Sequence, residues 1–330
     1  MITVKRALIT GITGQDGLYL GELLAQKGYE VHGLVRSASG PRYDGIRTAV
    51  PEAELHVGDL TDPISLLRTL EIVRPDEVYN LGGISFVGSS WEHASAIADV
   101  TGKGALNLLD AIRIHVGDDI ARVRFYQASS SEMFGKAQEV PQHERTAFWP
   151  RSPYGVSKAF AHFMTVNYRE SYGLHASCGI LFNHESPRRG PEFVTRKITR
   201  AAARIALGLD DTVSMGNLDA RRDWGFAGDF VRAMWLMLQQ AEADDYIIAT
   251  GETHSVRELL TLAFAVAGID EWEPHVVIDQ RFLRPTEGEQ LVGGAEKARE
   301  ILDWTPTVSF EQLVTMMVEN DLREQRSLLD

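Results

Sequence analysis

The sequence predicts an α/β fold: a doubly wound parallel sheet followed by a smaller C-terminal α/β lobe. Three observations carry this expectation. Short apolar runs alternate with helix-length amphipathic segments through residues 6–182, the pattern of successive βαβ units. A glycine-rich turn joins the first run to the first helix. The chain has 330 residues, 44% hydrophobic and 24% charged, enough to bury a sizeable core without long disorder.

Taken in order, residues 6–10 (Arg-Ala-Leu-Ile-Thr) read as a short buried strand, and 18–27 as an amphipathic helix ended by Gly28. Residues 29–35 supply the next strand and close a βαβ unit. The alternation continues with a strand at 54–57, a helix at 63–73, a strand at 77–81 and a long helix over 96–114. A strand at 122–127, a helix at 154–172 and a strand at 176–182 follow. Beyond residue 183 the pattern loosens to a basic helix at 194–207, a short strand at 212–215 and a helix at 230–241. A strand at 246–250 then leads to a helix at 256–267, capped by Ser255. Residues 274–289, rich in Pro and charge, read as loops and short strands. The expected division is a nucleotide-binding domain over 1–182 and a substrate-binding lobe mainly over 183–330, with parts of 216–246 packing back on the first. No internal repeat, low-complexity tract or flexible linker interrupts the chain.

The formal charge of −13 argues against nucleic acid or an anionic membrane as partner, so an anionic substrate would need a locally basic pocket. The single cysteine, Cys178, excludes an intramolecular disulfide and suits a reducing cytosol. It lies in the apolar run 176–182 and reads as a buried structural thiol. No stretch reaches the roughly 20 apolar residues of a membrane span, and the N-terminus lacks a signal-peptide layout. A cytoplasmic location is expected. The ten histidines are scattered without paired ligand spacing, so no metal site is expected.

Gly11-Ile-Thr-Gly-Gln-Asp-Gly17 joins strand to helix. Its glycines permit a tight turn, close approach of backbone to a pyrophosphate, and close helix–strand packing at the positive end of a helix dipole. The pattern alone is weak; placed after the first strand of a Rossmann-type sheet it becomes strong. At the end of the second strand stands Arg36 rather than a carboxylate, which favours a 2′-phosphate and hence NADP over NAD. Asp59 and Leu60 follow the third strand at the expected adenine edge, and Leu81 follows the fourth near the nicotinamide ribose. Tyr154 and Lys158 are four residues apart, about one helical turn, so phenol and ammonium share a face. A nearby cation is expected to lower the phenol's pKa and fit it to take a proton from a sugar hydroxyl. Ser130 and Glu132 follow the preceding strand, and residues just past strand carboxyl ends converge on the ligand crevice. These four side chains are the candidate catalytic set.

The chain resembles the extended short-chain dehydrogenase/reductase superfamily and, within it, the GDP-mannose 4,6-dehydratases. The resemblance runs end to end. It is most specific in residues 11–17, 127–135, 151–154, 181–190, 216–220, 222–225 and 284–287. It implies NADP as cofactor and GDP-mannose as substrate, converted to GDP-4-keto-6-deoxymannose with loss of water. In that reading Tyr154 takes the 4-hydroxyl proton, Ser130 bonds the 4-oxygen, and Glu132 serves as base at C5 and acid toward the departing 6-hydroxyl. Gly11, Thr13, Gly14, Gln15, Asp16, Gly17, Arg36, Asp59, Leu60, Leu81, Tyr154, Lys158, His184 and Arg189 would hold the cofactor. Ser85, Asn183, Val194, Lys197, Arg222, Arg284 and Glu287 would hold the nucleotide sugar, and Arg188 would serve the cofactor side or subunit contacts. Two departures stand out. Ile84 and Phe86 replace polar residues common in relatives, which bears on hexose preference, and the segment 37–56 is shorter. A homodimer is therefore expected, with a tetramer open. An NADPH-dependent reductase or epimerase of a keto-sugar nucleotide, or a dehydratase of another nucleotide hexose, remains the alternative.

Overall fold

The computed structural model describes residues 4–37, 39–282 and 291–329. The chain opens with β1 (Arg6–Thr10), α1 (Gln15–Gln26), β2 (Glu30–Val35), α2 (Pro41–Ala49), β3 (Glu54–Val57), α3 (Pro63–Val73) and β4 (Glu77–Asn80). A short α4 (Ala94–Ile97) passes through a π-helical turn (Ala98–Lys103) into α5 (Gly104–Val116). Then come β5 (Arg124–Ser130), α6 (Pro153–Tyr172), β6 (His175–Leu181), β7 (Asn183–Glu185), α7 (Val194–Ala206) and β8 (Val213–Met215). β9 (Arg221–Arg222), β10 (Trp224–Phe226), α8 (Ala227–Met237), β11 (Asp245–Ile248), β12 (His254–Ser255) and α9 (Val256–Val266) follow. The chain closes with β13 (Val276–Ile278), α10 (Glu296–Leu302) and α11 (Phe310–Arg326).

Seven strands make one parallel sheet in the order β11-β6-β5-β4-β1-β2-β3, the doubly wound arrangement the alternation predicts. Connections leave β1 toward β2 on one side and toward β4 on the other. The crevice for a ligand therefore opens at the carboxyl ends of β1 and β4, where the winding reverses. Side chains alternate across the sheet. Ala7 and Ile9 join Leu20, Leu24, Val31 and Met234 on one face. Leu8 joins Leu70, Val78, Leu108 and Phe125 on the other. Each such Val, Leu, Ile, Met or Phe side chain contributes about 1.5–3 kcal/mol by burial. A third core joins Ile198 and Ala202 of α7, Leu260 and Phe264 of α9, and Val314 and Met317 of α11.

Several boundaries differ from the sequence reading, each for a local reason. Residues Ile120–Arg122 form a 3-10 turn, so β5 starts later than expected and runs on to Ser130. The helix expected over 96–114 is interrupted by the π turn. α8 begins at Ala227 rather than at residue 230, with Asp229 in its first turn. α2, α10 and α11 were not anticipated. α11 has the capping box of Ser309 and Gln312, and Ser255 caps α9 with Glu258 in the same reciprocal way. Among the described residues no helix is long and apolar enough to cross a membrane.

Candidate active site

The glycine turn is built so that backbone lies against backbone. Gly11 has φ +71, and a Cβ there would sit 2.8 Å from Gly82 N. A Cβ on Gly17 would lie 2.4 Å from Gly11 O and Ile12 Cα. Between them, Gly14 N donates to Gly11 O at 2.9 Å and Gly14 O accepts from Leu18 N at 3.0 Å. The turn thus leads directly into α1, whose first N–H groups have no partner within the helix and suit an anion. Thr13 is half-buried beside exposed Gly14. At the adjoining strand ends, Arg36 is exposed and near enough to act on Asp59. Hydrogen bonds from Thr61 hold the Asp59 carboxyl below its ordinary range, with Arg36 adding to the effect. Leu60 is buried. Its side chain lies where a Cβ on Gly82 or Gly104 would collide with it, and its carbonyl accepts from Asn107. Leu60 is therefore a packing residue at the end of β3. Leu81 N donates to Thr10 O at 3.3 Å, which places Leu81 beside the glycine turn.

A polar cluster joins this turn to the segment after β6. His184 Nε2 lies 2.9 Å from Asp16 Oδ2, and His184 Nδ1 lies 2.8 Å from Phe182 O. Gln15 donates to Asp16 and to His184 O, both at 3.0 Å, and accepts from Ser186 at 2.7 Å. Burial opposes ionisation of Asp16, but His184, Gln15 and Arg189 override it and hold the carboxyl down at about 2. Burial likewise works against a charged His184, and Asp16 reverses it, so His184 is raised. The imidazole stacks on Phe230 at 4.6 Å, and a Cβ on Gly225 would strike that ring at 2.4 Å. The specific segment 222–225 is in part architectural. Asp223 accepts from Thr250 N, Thr250 Oγ1 and Gly251 N at 2.7–2.9 Å.

Ser130, Glu132, Tyr154 and Lys158 come together at the carboxyl end of β5 and the first turns of α6. Ser130 Oγ accepts from Glu132 N at 3.2 Å, and the hydroxyl is close enough to Tyr154 to favour the phenolate. Glu132 is half-buried, and its charge acts on Tyr154. Ser152 caps α6 by accepting from Gly155 N. A Cβ on Gly155 would fall 2.6 Å from Glu132 O, so the glycine between Tyr154 and Lys158 lets the helix abut the Glu132 loop. Lys158 Nζ donates to Ala128 O at 2.7 Å and lies 5.8 Å from the Tyr154 ring centroid.

One expectation is corrected here. Lys158 does not bring the Tyr154 pKa below its usual value. Burial dominates and pushes the phenol up to about 12, against the smaller pull of Ser130 and Arg189. Burial also brings Lys158 down to about 8, with Asp16 opposing it. Arg189, read from sequence as a cofactor ligand, lies where its charge reaches both Tyr154 and Asp16. It pairs with Glu185 at 3.0 Å and covers the Phe193 ring at 3.6 Å. Arg188 instead forms a two-pronged pair with Glu22 at 2.7 and 2.8 Å over the Tyr19 ring, a local clamp between α1 and the 186–190 turn. Sequence spacing gave no sign of this pairing.

The nucleotide-sugar candidates fall on several elements. Asn183 and Arg222 sit on β7 and β9, with Asn183 paired opposite Trp224. Val194 and Lys197 are one turn apart at the start of α7. Lys197 Nζ lies 3.6 Å from the Phe282 ring centroid, and burial lowers its pKa. Ser85 is exposed on the loop after β4. Its neighbour Phe86 meets Phe193 edge to face at 5.6 Å, and Ile84 N donates to Thr101 in the π turn at 3.1 Å. Arg284 and Glu287 lie outside the described residues. The scattered histidines of the sequence are not all apart in space: strand pairing brings His32 and His56 within 3.0 Å.

A family model described as GDP-mannose 4,6 dehydratase matches residues 8–317. The chain is 54% identical over 326 residues to GDP-mannose 4,6 dehydratase 1 of Arabidopsis thaliana, covering 96% of this chain and 90% of that protein. It is 50% identical over 345 residues to GDP-mannose 4,6 dehydratase of Homo sapiens, covering 97% and 92%. Among solved structures it is similar to dTDP-glucose 4,6-dehydratase from Streptomyces venezuelae, with TM-score 0.84, 25% identity and 98% of each chain covered. On this match along nearly its whole length, the chain belongs to the GDP-mannose 4,6-dehydratase family.

Proposed function

We propose that this chain removes water from GDP-mannose to give GDP-4-keto-6-deoxymannose, using a nicotinamide cofactor that is NADP. The observation that carries the reading is the meeting of Ser130, Glu132, Tyr154 and Lys158 beside the glycine turn, at the point where the sheet reverses its winding. The cofactor fits the residues present: Gly11, Gly14 and Gly17 admit a diphosphate against the N-terminus of α1, and Arg36 stands at the end of β2 where a 2′-phosphate would be recognised. When bound, NADP supplies the hydride acceptor for C4 of the hexose and the donor for C6, so the cycle closes without net oxidation.

The chain's own residues handle protons and orientation. Tyr154 takes the proton of the 4-hydroxyl, with Ser130 holding the same oxygen. A charged Lys158, with Nζ 5.8 Å from the Tyr154 ring centroid, favours the phenolate against the burial that raises it. Arg189 adds positive potential at the phenol. Once C4 is a ketone, the C5 hydrogen is acidic. Glu132, tied by its backbone N–H to Ser130, removes it and gives that proton to the 6-hydroxyl as water leaves; when hydride returns to C6, C5 takes up one proton, which balances the one Tyr154 removed from the 4-hydroxyl. Lys197, Arg222 and Arg284 suit a diphosphate, and Glu287 suits the two N–H donors of guanine. The molecule is proposed to act as a homodimer. The exposed apolar stripe of Val156, Phe160 and Phe163 on α6 suits a second copy, at the spacing of one helix face.

Incubation of purified protein with GDP-mannose, without added reductant, tests the reading. Mass spectrometry should find a product lighter by one water and no net consumption of nicotinamide. Unchanged GDP-mannose, or turnover that demands stoichiometric NADPH, would overturn it.

A further inference from the structure

Away from the crevice, pairing of β2 with β3 sets His32 opposite Glu54 and Leu34 opposite His56. Alternate residues of a strand share a face, so His32, Glu54 and His56 lie together beside Leu34, on the side packed by α3. His32 is buried, with 3% exposure, and its Nδ1 is 3.0 Å from His56 Nε2. Glu54 Oε2 lies 3.7 Å from His32 Nδ1, and Glu54 Oε1 lies 4.0 Å from His56 Nε2. One donor atom from each residue thus falls within 4.8 Å of the others. A tetrahedral zinc ion with bonds of about 2.0–2.1 Å holds its ligand atoms roughly 3.3 Å apart. The two imidazole nitrogens, 3.0 Å apart, are already near that spacing, and a Glu54 oxygen lies 3.7 Å from the first of them.

A second observation points the same way. His32 Nε2, on the far side of the ring, is buried without a hydrogen bond, and the carboxylate oxygen Glu30 Oε1 is 3.4 Å away. A histidine that ligates through one nitrogen gives the other N–H to such a carboxylate, which fixes the ring. Glu30 stands in that place, steadied by Arg6 at 3.4 Å. The Glu54 side chain is 64% exposed, which gives an ion a way in and leaves a coordination position open to water. The other grouping of this kind among the described residues, His162, Cys178 and Asp245, is already committed. Arg169 holds both Asp245 oxygens, His162 Nδ1 faces Ser129, and burial pushes the Cys178 thiol well up.

We propose that His32, His56 and Glu54 form a site for one divalent transition-metal ion of the zinc class, with Glu30 orienting His32. The ion would tie the edge strand β3 to β2 just ahead of Gly58 and Asp59. Its role is structural, since none of these residues belongs to the crevice.

Full-length protein without an affinity tag, stripped with a chelator, would be titrated with zinc ion alone by calorimetry, and with cobalt ion as a spectroscopic probe. One zinc per chain is expected, with the strong visible absorption of four-coordinate cobalt and a melting temperature that rises with zinc. Glu54→Gln, at an exposed position that does not threaten folding, should weaken zinc at least tenfold. Glu30→Gln should weaken it about 10- to 100-fold, and His56→Asn should abolish binding while its metal-free melting temperature confirms that it folds. Failure of the unaltered chain to take up zinc stoichiometrically would overturn the site. So would zinc binding unchanged in Glu54→Gln, which would place the ion elsewhere.

Discussion

In the proposed mechanism Glu132 is the residue that separates a dehydratase from a simple reductase, which needs no base at C5. Glu132→Gln keeps the shape and the Ser130 contact but cannot take the proton. We expect cofactor and nucleotide-sugar binding to persist while turnover falls about 10²- to 10⁴-fold; near-normal dehydration by this variant would remove Glu132 from the mechanism. Lys158 makes a second prediction at this scale. Its pKa is brought by burial from 10.5 down to about 8, so its charge is lost as pH rises through that value. kcat/KM should therefore decline on the alkaline side with a midpoint near 8, and a profile flat through the alkaline range would contradict the role. The stability sign runs the other way. The cost of a buried ammonium is present in full below about 8 and is relieved as pH rises toward the unfolded value of 10.5.

At the scale of elements, the proposed preference for NADP rests on the ends of strands. Arg36 closes β2 and Asp59 follows β3, and their proximity leaves the guanidinium at the rim where a 2′-phosphate would lie. Arg36→Ala should shrink the preference for NADP⁺ over NAD⁺ by about 1.5–3 kcal/mol, the scale of a charged hydrogen bond. Equilibrium titration with both cofactors reads it, and an unchanged ratio would remove Arg36 from recognition. The same scale explains what the sequence made legible. Strands that are buried on both faces and helices with a clear apolar stripe announce themselves, as β1, β4, α6 and the capped α9 do. α2 is polar with Pro41 and Gly45, so periodicity gives it no signal. The π turn depends on Thr101 and Gly102 packing against the Gly83 and Ser157 backbone, a tertiary contact. The Tyr154–Lys158 pair was legible as a motif, but its electrostatics were not. Spacing reports that a cation is near; only burial tells that desolvation outweighs it. The His32–His56 approach was hidden for the same reason, since the two lie 24 positions apart and meet only through strand register.

For the whole molecule, the α6 stripe predicts association. Val156, Phe160 and Phe163 are 54%, 43% and 57% exposed and line the helix that also carries Tyr154 and Lys158. Phe163→Glu should shift the molecule toward monomer in sedimentation analysis, while a monomeric unaltered chain would refute the dimer. The central claim is that one hydride leaves C4 and returns to C6 of the same sugar. GDP-mannose deuterated at C4 tests it most directly, with the product read by mass spectrometry and NMR. The account predicts loss of one water with the deuterium retained on the C6 methyl group. Deuterium lost to solvent or to a free nicotinamide pool, or a product that keeps its 6-hydroxyl, would contradict it.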